Sequence, residues 1–134
     1  MHYMLMLYAR EAEGLKIPPE QMARVMEDMG AYQAALEKAD AFVMTAPLDR
    51  TRNARTLRPR GGEIKVAQGA DGPAFSNEGG ELQVVSGPYA DTLEQLGGFF
   101  IIEAADMDEA VAWARQCPAA QWGSIEIRAM KPGF

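Results

Sequence analysis

Two segments of this chain, Tyr3 to Tyr8 and Gly98 to Ala104, read as strands with apolar side chains on both alternating faces. In the first, Tyr3, Leu5 and Leu7 fall on one face and Met4, Met6 and Tyr8 on the other. A sheet built on such strands must be covered twice, because either bare face would hold a strip of hydrocarbon against water. Two helical segments can supply one cover. Pro18 and Pro19 suit the first turn of a helix, and Met22, Val25, Met26, Met29, Tyr32 and Leu36 then recur at helical spacing to about Ala39, with Gly30 as the weak point. Asp106 can cap a second helix, with Glu109 completing a capping-box pattern, Ala110, Val111, Ala114 and Cys117 forming its apolar stripe, and Pro118 stopping it. Ser124 to Met130 closes the chain as a strand, Ile125 and Ile127 facing one way and Glu126 and Arg128 the other.

This order predicts an α+β fold: a ferredoxin-like split βαβ antiparallel sheet with two helices on one face and an added hairpin. The hairpin is expected between Asp49 and Glu81, with strands Arg55 to Arg58 and Glu63 to Val66 around Gly61-Gly62. Residues Gln68 to Gly80 are rich in turn formers and read as a mobile loop or an extended hairpin tip, and Leu82 to Val85 as a short strand. At 134 residues the whole chain, 1–134, is expected to form a single domain. Helices on one face leave the other bare in a monomer, so a homodimer packed sheet to sheet is expected.

A formal net charge of -6 opposes nonspecific binding to nucleic acid or an anionic membrane, leaving small molecules or proteins as expected partners. The lone cysteine, Cys117, has no intramolecular disulfide partner and reads as a small buried side chain. The apolar start is too short to span a membrane and lacks the features of a signal peptide. A cytoplasmic location is the expectation.

The stretch Ser86-Gly87-Pro88-Tyr89-Ala90-Asp91 joins a rigid turn to a polar loop, and Gly97-Gly98 then opens a strand. Such an order can hold a site at the mouth of a sheet. Tyr89 and Asp91 would place a phenol and a carboxylate there, able to bind or deprotonate a ligand. Equally, Gly87 and Pro88 set a turn, Tyr89 packs, and Asp91 caps Leu93 to Leu96. Arg50, Arg52, Arg55, Arg58 and Arg60 place five of the thirteen basic residues within eleven positions. On a strand Arg58 and Arg60 share a face and can hold a carboxylate or phosphate together, or they can serve as the charged edge that keeps a strand from aggregating. Met22, Met26 and Met29 form a stripe that can adapt to hydrophobic ligands but reads first as core, and Trp113 and Trp122 read as core or interface, although Trp122 in a loop can border a cleft. No phosphate loop, dinucleotide fingerprint or nucleophile elbow is present, and one histidine with one cysteine supports no zinc site, so neither metal nor cofactor is expected.

Several of these stretches together resemble the YCII-related, or DGPF, domain family. They are the Tyr-Met-Leu opening, Pro19-Glu20, the turn at Ser86 to Tyr89, Glu94-Gln95-Leu96-Gly97-Gly98, Asp108 to Ala114, Cys117-Pro118-Ala119-Ala120, and Gly123 to Arg128. The resemblance implies a dimeric α+β barrel. Some members have been proposed to use a histidine-aspartate pair in a cleft. This chain has only His2, and its first helix offers Tyr32 and Gln33 where a histidine would be sought. Ser86 stands where the family name has aspartate and Tyr89 where it has phenylalanine, and serine supplies no carboxylate. Acid-base work therefore falls to Asp91 with Tyr89 or Tyr32, and ligand binding to Arg58, Arg60, Ser86 and Gly87. Two functions stand open. One is a binder of a small polar or anionic molecule with acid-base catalysis. The other is a non-enzymatic module using residues 68–80 for protein contact, which by resemblance can be linked to extracytoplasmic-function sigma factor signalling.

Overall fold

The computed structural model describes residues 1–133, which form two compact units: residues 1–50 with 92–133, and Thr51–Asp91. The first unit holds a four-stranded antiparallel sheet of β1 (His2–Ala9), β2 (Phe42–Pro47), β7 (Gln95–Glu103) and β8 (Ser124–Ala129), in the order β2-β7-β1-β8. That is the ferredoxin-like order, built from a strand-helix-strand and a second strand-helix-strand whose outer strands flank the inner pair. Its helices are α1 (Glu11–Gly14), α2 (Pro19–Lys38) and α3 (Met107–Gln116). The short α1 and strand β2 were not anticipated. The run Phe42-Val43-Met44-Thr45-Ala46 carries the β-branched and aromatic signal of β2, broken by a register shift between Phe42 and Met44.

The core lies on one sheet face. Tyr3 opposite Ile102 and Leu5 opposite Phe100 point to the same side, where Tyr32 and Leu36 of α2 and Ala110 and Ala114 of α3 complete the buried cluster. Leu5, Leu36 and Ile102 are fully enclosed. The Phe100 and Tyr32 rings meet edge to face, their centroids 5.3 Å apart with an 81° interplanar angle, a favourable arrangement of ring quadrupoles. The opposite face carries Met4, Met6, Phe99 and Ile101, all only partly covered, and the exposed Met44.

The helix ends follow their local chemistry. Pro18 and Pro19 open α2 as expected, since the first turn needs no donor from Pro19. Its C-terminus is closed by Asp40 at φ 55°, with Asp40 N–H donating to Glu37 O and Ala41 N–H to Leu36 O at 2.9 Å. At α3 the Asp106 carboxylate accepts from Glu109 N–H at 2.9 Å. The Glu109 carboxylate reaches one residue further back than a capping box requires, to Ala105 N–H at 2.9 Å.

The second unit is two ribbons. Here β3 (Arg55–Arg60) pairs with β6 (Glu81–Ser86), and β4 (Glu63–Gly69) with β5 (Gly72–Glu78). The expected hairpin around Gly61-Gly62 is thus corrected. Gly61 and Gly62, both at positive φ, connect the ribbons, and the hairpin turn falls between Gly69 and Gly72. Of the two expectations for residues 68–80 the extended hairpin holds and the loop does not: they form the tip and returning strand of β4–β5, because turn-forming residues such as Pro73, Ser76 and Asn77 still fit an extended, solvent-exposed ladder.

Among the described residues, no helix is long and apolar enough to cross a membrane.

Candidate functional site

In the first unit a cavity of about 520 Å³ opens where β1 ends and β7 begins. That volume is in the range of small-molecule sites. Ala9, Gln95 and Gly97 line it from the sheet, Ile17, Met22 and Val25 from the α1–α2 segment, and Trp122 from the loop before β8. Arg10, Glu11, Glu13 and Glu94 supply its charged groups. A second cavity of about 310 Å³ shares Gly97 and continues along α2 past Met26, Met29 and Gly30.

Local backbone chemistry makes the opening. Leu7 pairs with Gly98 but Tyr8 pairs with Leu96, so Gly97 is the extra residue of a bulge, which bends β7 away from β1. A Cβ at Gly98 would sit 3.1 Å from Ala46 O, so that glycine serves close approach of β2. Gln95 pins the corner: its Oε1 accepts from Glu11 N–H at 2.9 Å and its Nε2 donates to Thr92 O at 2.7 Å. Both oxygens of the Glu94 carboxylate lie 3.1–3.2 Å from the Ser124 hydroxyl.

The methionine stripe expected in the core divides. Met29 packs against the core, but Met22 is 37% and Met26 61% exposed, and both line the cavities. The first half of α2 stands off the sheet. Trp122 borders the larger cavity, whereas Trp113 packs against the core.

Tyr32 of the first unit is buried, and its hydroxyl donates to Trp113 O at 2.8 Å. Burial, with a smaller contribution from Cys117, pushes its phenol well above the ordinary 10.0. Burial likewise raises the enclosed Cys117 thiol above 9.0. Both groups fold as neutral acids, so the stability they contribute is present below these ordinary values and is lost as pH rises through and beyond them. Chemical denaturation from pH 8 to 11 is expected to show stability falling above pH 9–10, with a flatter decline in Tyr32→Phe. An equal decline in that variant would assign the loss elsewhere.

His2 Nε2 lies 3.0 Å from a Glu103 carboxylate oxygen, and the other oxygen accepts from the N-terminal ammonium. That hydrogen bond is the main cause holding the exposed Glu103 carboxyl below its usual range.

The remaining predicted residues lie in the second unit. Gly87, at φ 106°, closes the β3–β6 ribbon: its N–H donates to Ala54 O at 2.9 Å and its carbonyl accepts from the Thr56 hydroxyl at 2.8 Å. Ser86 ends β6 opposite Arg55. The Arg58 guanidinium donates to Tyr89 O and sits 4.9 Å from the centroid of the Tyr89 ring, leaving that side chain 77% exposed. Arg60 Nε donates to Gln83 Oε1 at 2.9 Å, and Gln83 is the cross-strand partner of Arg58. Arg58, Arg60 and Tyr89 are therefore gathered on one ribbon. Asp91 is exposed at its end.

Fold and cavity together define an α+β protein of ferredoxin-like strand order with a ligand-sized space at the start of an inner strand. The YCII-related domain profile matches residues 1–133. The chain is also 33% identical over 138 residues to an uncharacterized protein of Rhizobium meliloti (strain 1021), covering 99% of this chain and 97% of that one. The chain belongs to the YCII-related family. Of the residues that line the larger cavity, Glu94, Gln95 and Gly97 come from the stretch that carries the family likeness. Glu94 was within reach of sequence reading as an acid beside the glycine pair. Met22 was marked only by the methionine stripe, and Ile17 and Val25 carried no signal of a site.

Proposed function

We propose that this YCII-related protein is a homodimer that binds a small molecule in the cavity beside Gly97. The observation that carries the reading is that Glu94, Gln95 and Gly97 of the family's Glu-Gln-Leu-Gly-Gly stretch line a space of about 520 Å³. Met22→Trp, at a position already partly in solvent, is expected to fill this space and preserve the fold. Ligand-observed NMR hits lost in that variant at unchanged melting temperature support the assignment. Hits that survive a filled cavity overturn it.

The dimer reading rests on the second sheet face. Met4, Met6, Phe99 and Ile101 form its apolar centre, and Arg128 opposite Met4 and Glu126 opposite Met6 flank it on β8. Opposite charges two residues apart on one edge are self-complementary about a two-fold axis, where Glu126 of each copy meets Arg128 of the other. Light scattering at micromolar concentration is expected to give a dimer, and Phe99→Glu a monomer.

A second reading places a polar or anionic ligand at Arg58 and Arg60, with Asp91 and Tyr89 as acid-base pair. The Arg58–Tyr89 stacking favours it, since it presents a phenol to solvent beside a fixed positive charge. Turnover abolished by Asp91→Asn or Tyr89→Phe supports an enzyme, and binding without turnover supports a binding module. The exposed Ile64, Val66 and Phe75 on one face of the β4–β5 hairpin favour protein contact by such a module.

A further inference from the structure

The cavity beside Gly97 has walls of one chemistry and a rim of another. Ile17, Met22 and Val25 are hydrocarbon or thioether, whereas the charged groups are the carboxylates of Glu11, Glu13 and Glu94 against the guanidinium of Arg10. The amide of Gln95 is held by the fold, its oxygen accepting from Glu11 N–H and its nitrogen donating to the carbonyls of Thr92 and Leu93. Glu13 faces Lys16 at 3.3 Å. Glu94 differs: its carboxylate is steadied by a hydroxyl, and no cation of the described residues lies within ion-pair distance of it. A hydroxyl orients a carboxylate without neutralising it. Trp122 adds a half-exposed aromatic surface on the same cavity, and indole faces attract cations more strongly than other side-chain rings do.

These features select by charge. The lining carries three carboxylates to one guanidinium, that of Arg10, so an anion would enter against a net negative charge and leave its water shell for little compensation. A neutral apolar molecule gains the walls alone. An ammonium on an apolar body gains the walls, the Glu94 carboxylate and the Trp122 face, and the chain's net charge of -6 favours its approach. We infer that the cavity is a site for an apolar monoamine, its hydrocarbon against Ile17, Met22 and Val25 and its ammonium at Glu94. This rests on the reading of the cavity as the ligand site and names the ligand class.

The test compares three probes of one length: hexylamine, hexanol and hexanoate at pH 7 and low salt. Intrinsic fluorescence is followed in a Trp113→Phe background so that Trp122 alone reports. Hexylamine is expected to bind about 5-fold more tightly than hexanol, the size of one well-placed exposed charge pair, and hexanoate to bind most weakly. In Glu94→Gln, which keeps an acceptor for Ser124, the preference for amine over alcohol is expected to vanish. Equal binding of hexanol and hexylamine, or preference for hexanoate, overturns the amine assignment and leaves the cavity reading intact. A preference that survives Glu94→Gln overturns the role of Glu94. No response of Trp122 to any of the three overturns both.

Discussion

Phe100→Ala is expected to lower the folding free energy by about 3–5 kcal/mol, the usual cost of removing a buried aromatic and leaving its space behind. Phe100 is 3% exposed, stands opposite Leu5 and Thr45 in the sheet, and meets Tyr32 edge to face. Its loss exposes the centre of the core and leaves Tyr32 without the ring it stacks on. Against a total stability of roughly 5–15 kcal/mol, that is enough to bring the protein close to unfolding at ordinary temperature. Urea denaturation provides the measurement. The neighbouring Ile101→Ala is the informative companion, since its side chain points to the opposite face. Measured under dilute, monomeric conditions, Ile101→Ala is expected to cost much less. A cost equal to that of Phe100→Ala would mean that the second face is buried within one chain.

The second large effect concerns backbone. A Cβ at Gly123 would lie 2.0 Å from Tyr8 O and 3.1 Å from its carbonyl carbon, far inside contact distance. Gly123 leads into β8, where Ser124 pairs with Tyr8, so the obstacle is the sheet itself and not a side chain that can turn away. Gly123→Ala must therefore push β8 from β1, breaking the ladder at its first rung, and is expected to cost about 2–3 kcal/mol, toward the upper end of ordinary overpacking. Gly97→Ala is the control. Its added methyl would have only Leu7 O at 4.0 Å, and its melting temperature is expected to stay close to that of the parent. A stable Gly123→Ala protein with β8 still paired would show that β1 yields more readily than this geometry implies.

The helices and inner strands were legible because each carries redundant signals. Proline at the start of α2, the Asp106 cap of α3, and the double-faced apolar pattern of β1 and β7 all act within a few residues. The ribbons were less legible. Arg55 to Arg60 and Glu63 to Gly69 are both plausible strands, and deciding that each pairs with a later segment instead of with its neighbour takes long-range contacts that local pattern does not encode. The methionine stripe shows the same limit. Met22, Met26 and Met29 share a helix face, but how far that face stands from the sheet depends on the angle of α2 and on the short α1 before it.

The amino-acid sequence by itself determined the family, the ferredoxin-like class of fold and the inner part of the core at Tyr3, Leu5, Leu36, Phe100 and Ala110, because periodicity and capping act locally and leave few ways to bury two helical stripes on a sheet. Tertiary structure decided which residues share a space. The Gly97 bulge, the stand-off of Met22 and the approach of Trp122 assemble a cavity from segments more than a hundred residues apart in the case of Ile17 and Trp122. The same folding committed the Tyr32 hydroxyl to Trp113 O and laid Arg58 over Tyr89, since hydrogen-bonding and stacking partners are chosen by distance in space and not by distance along the chain.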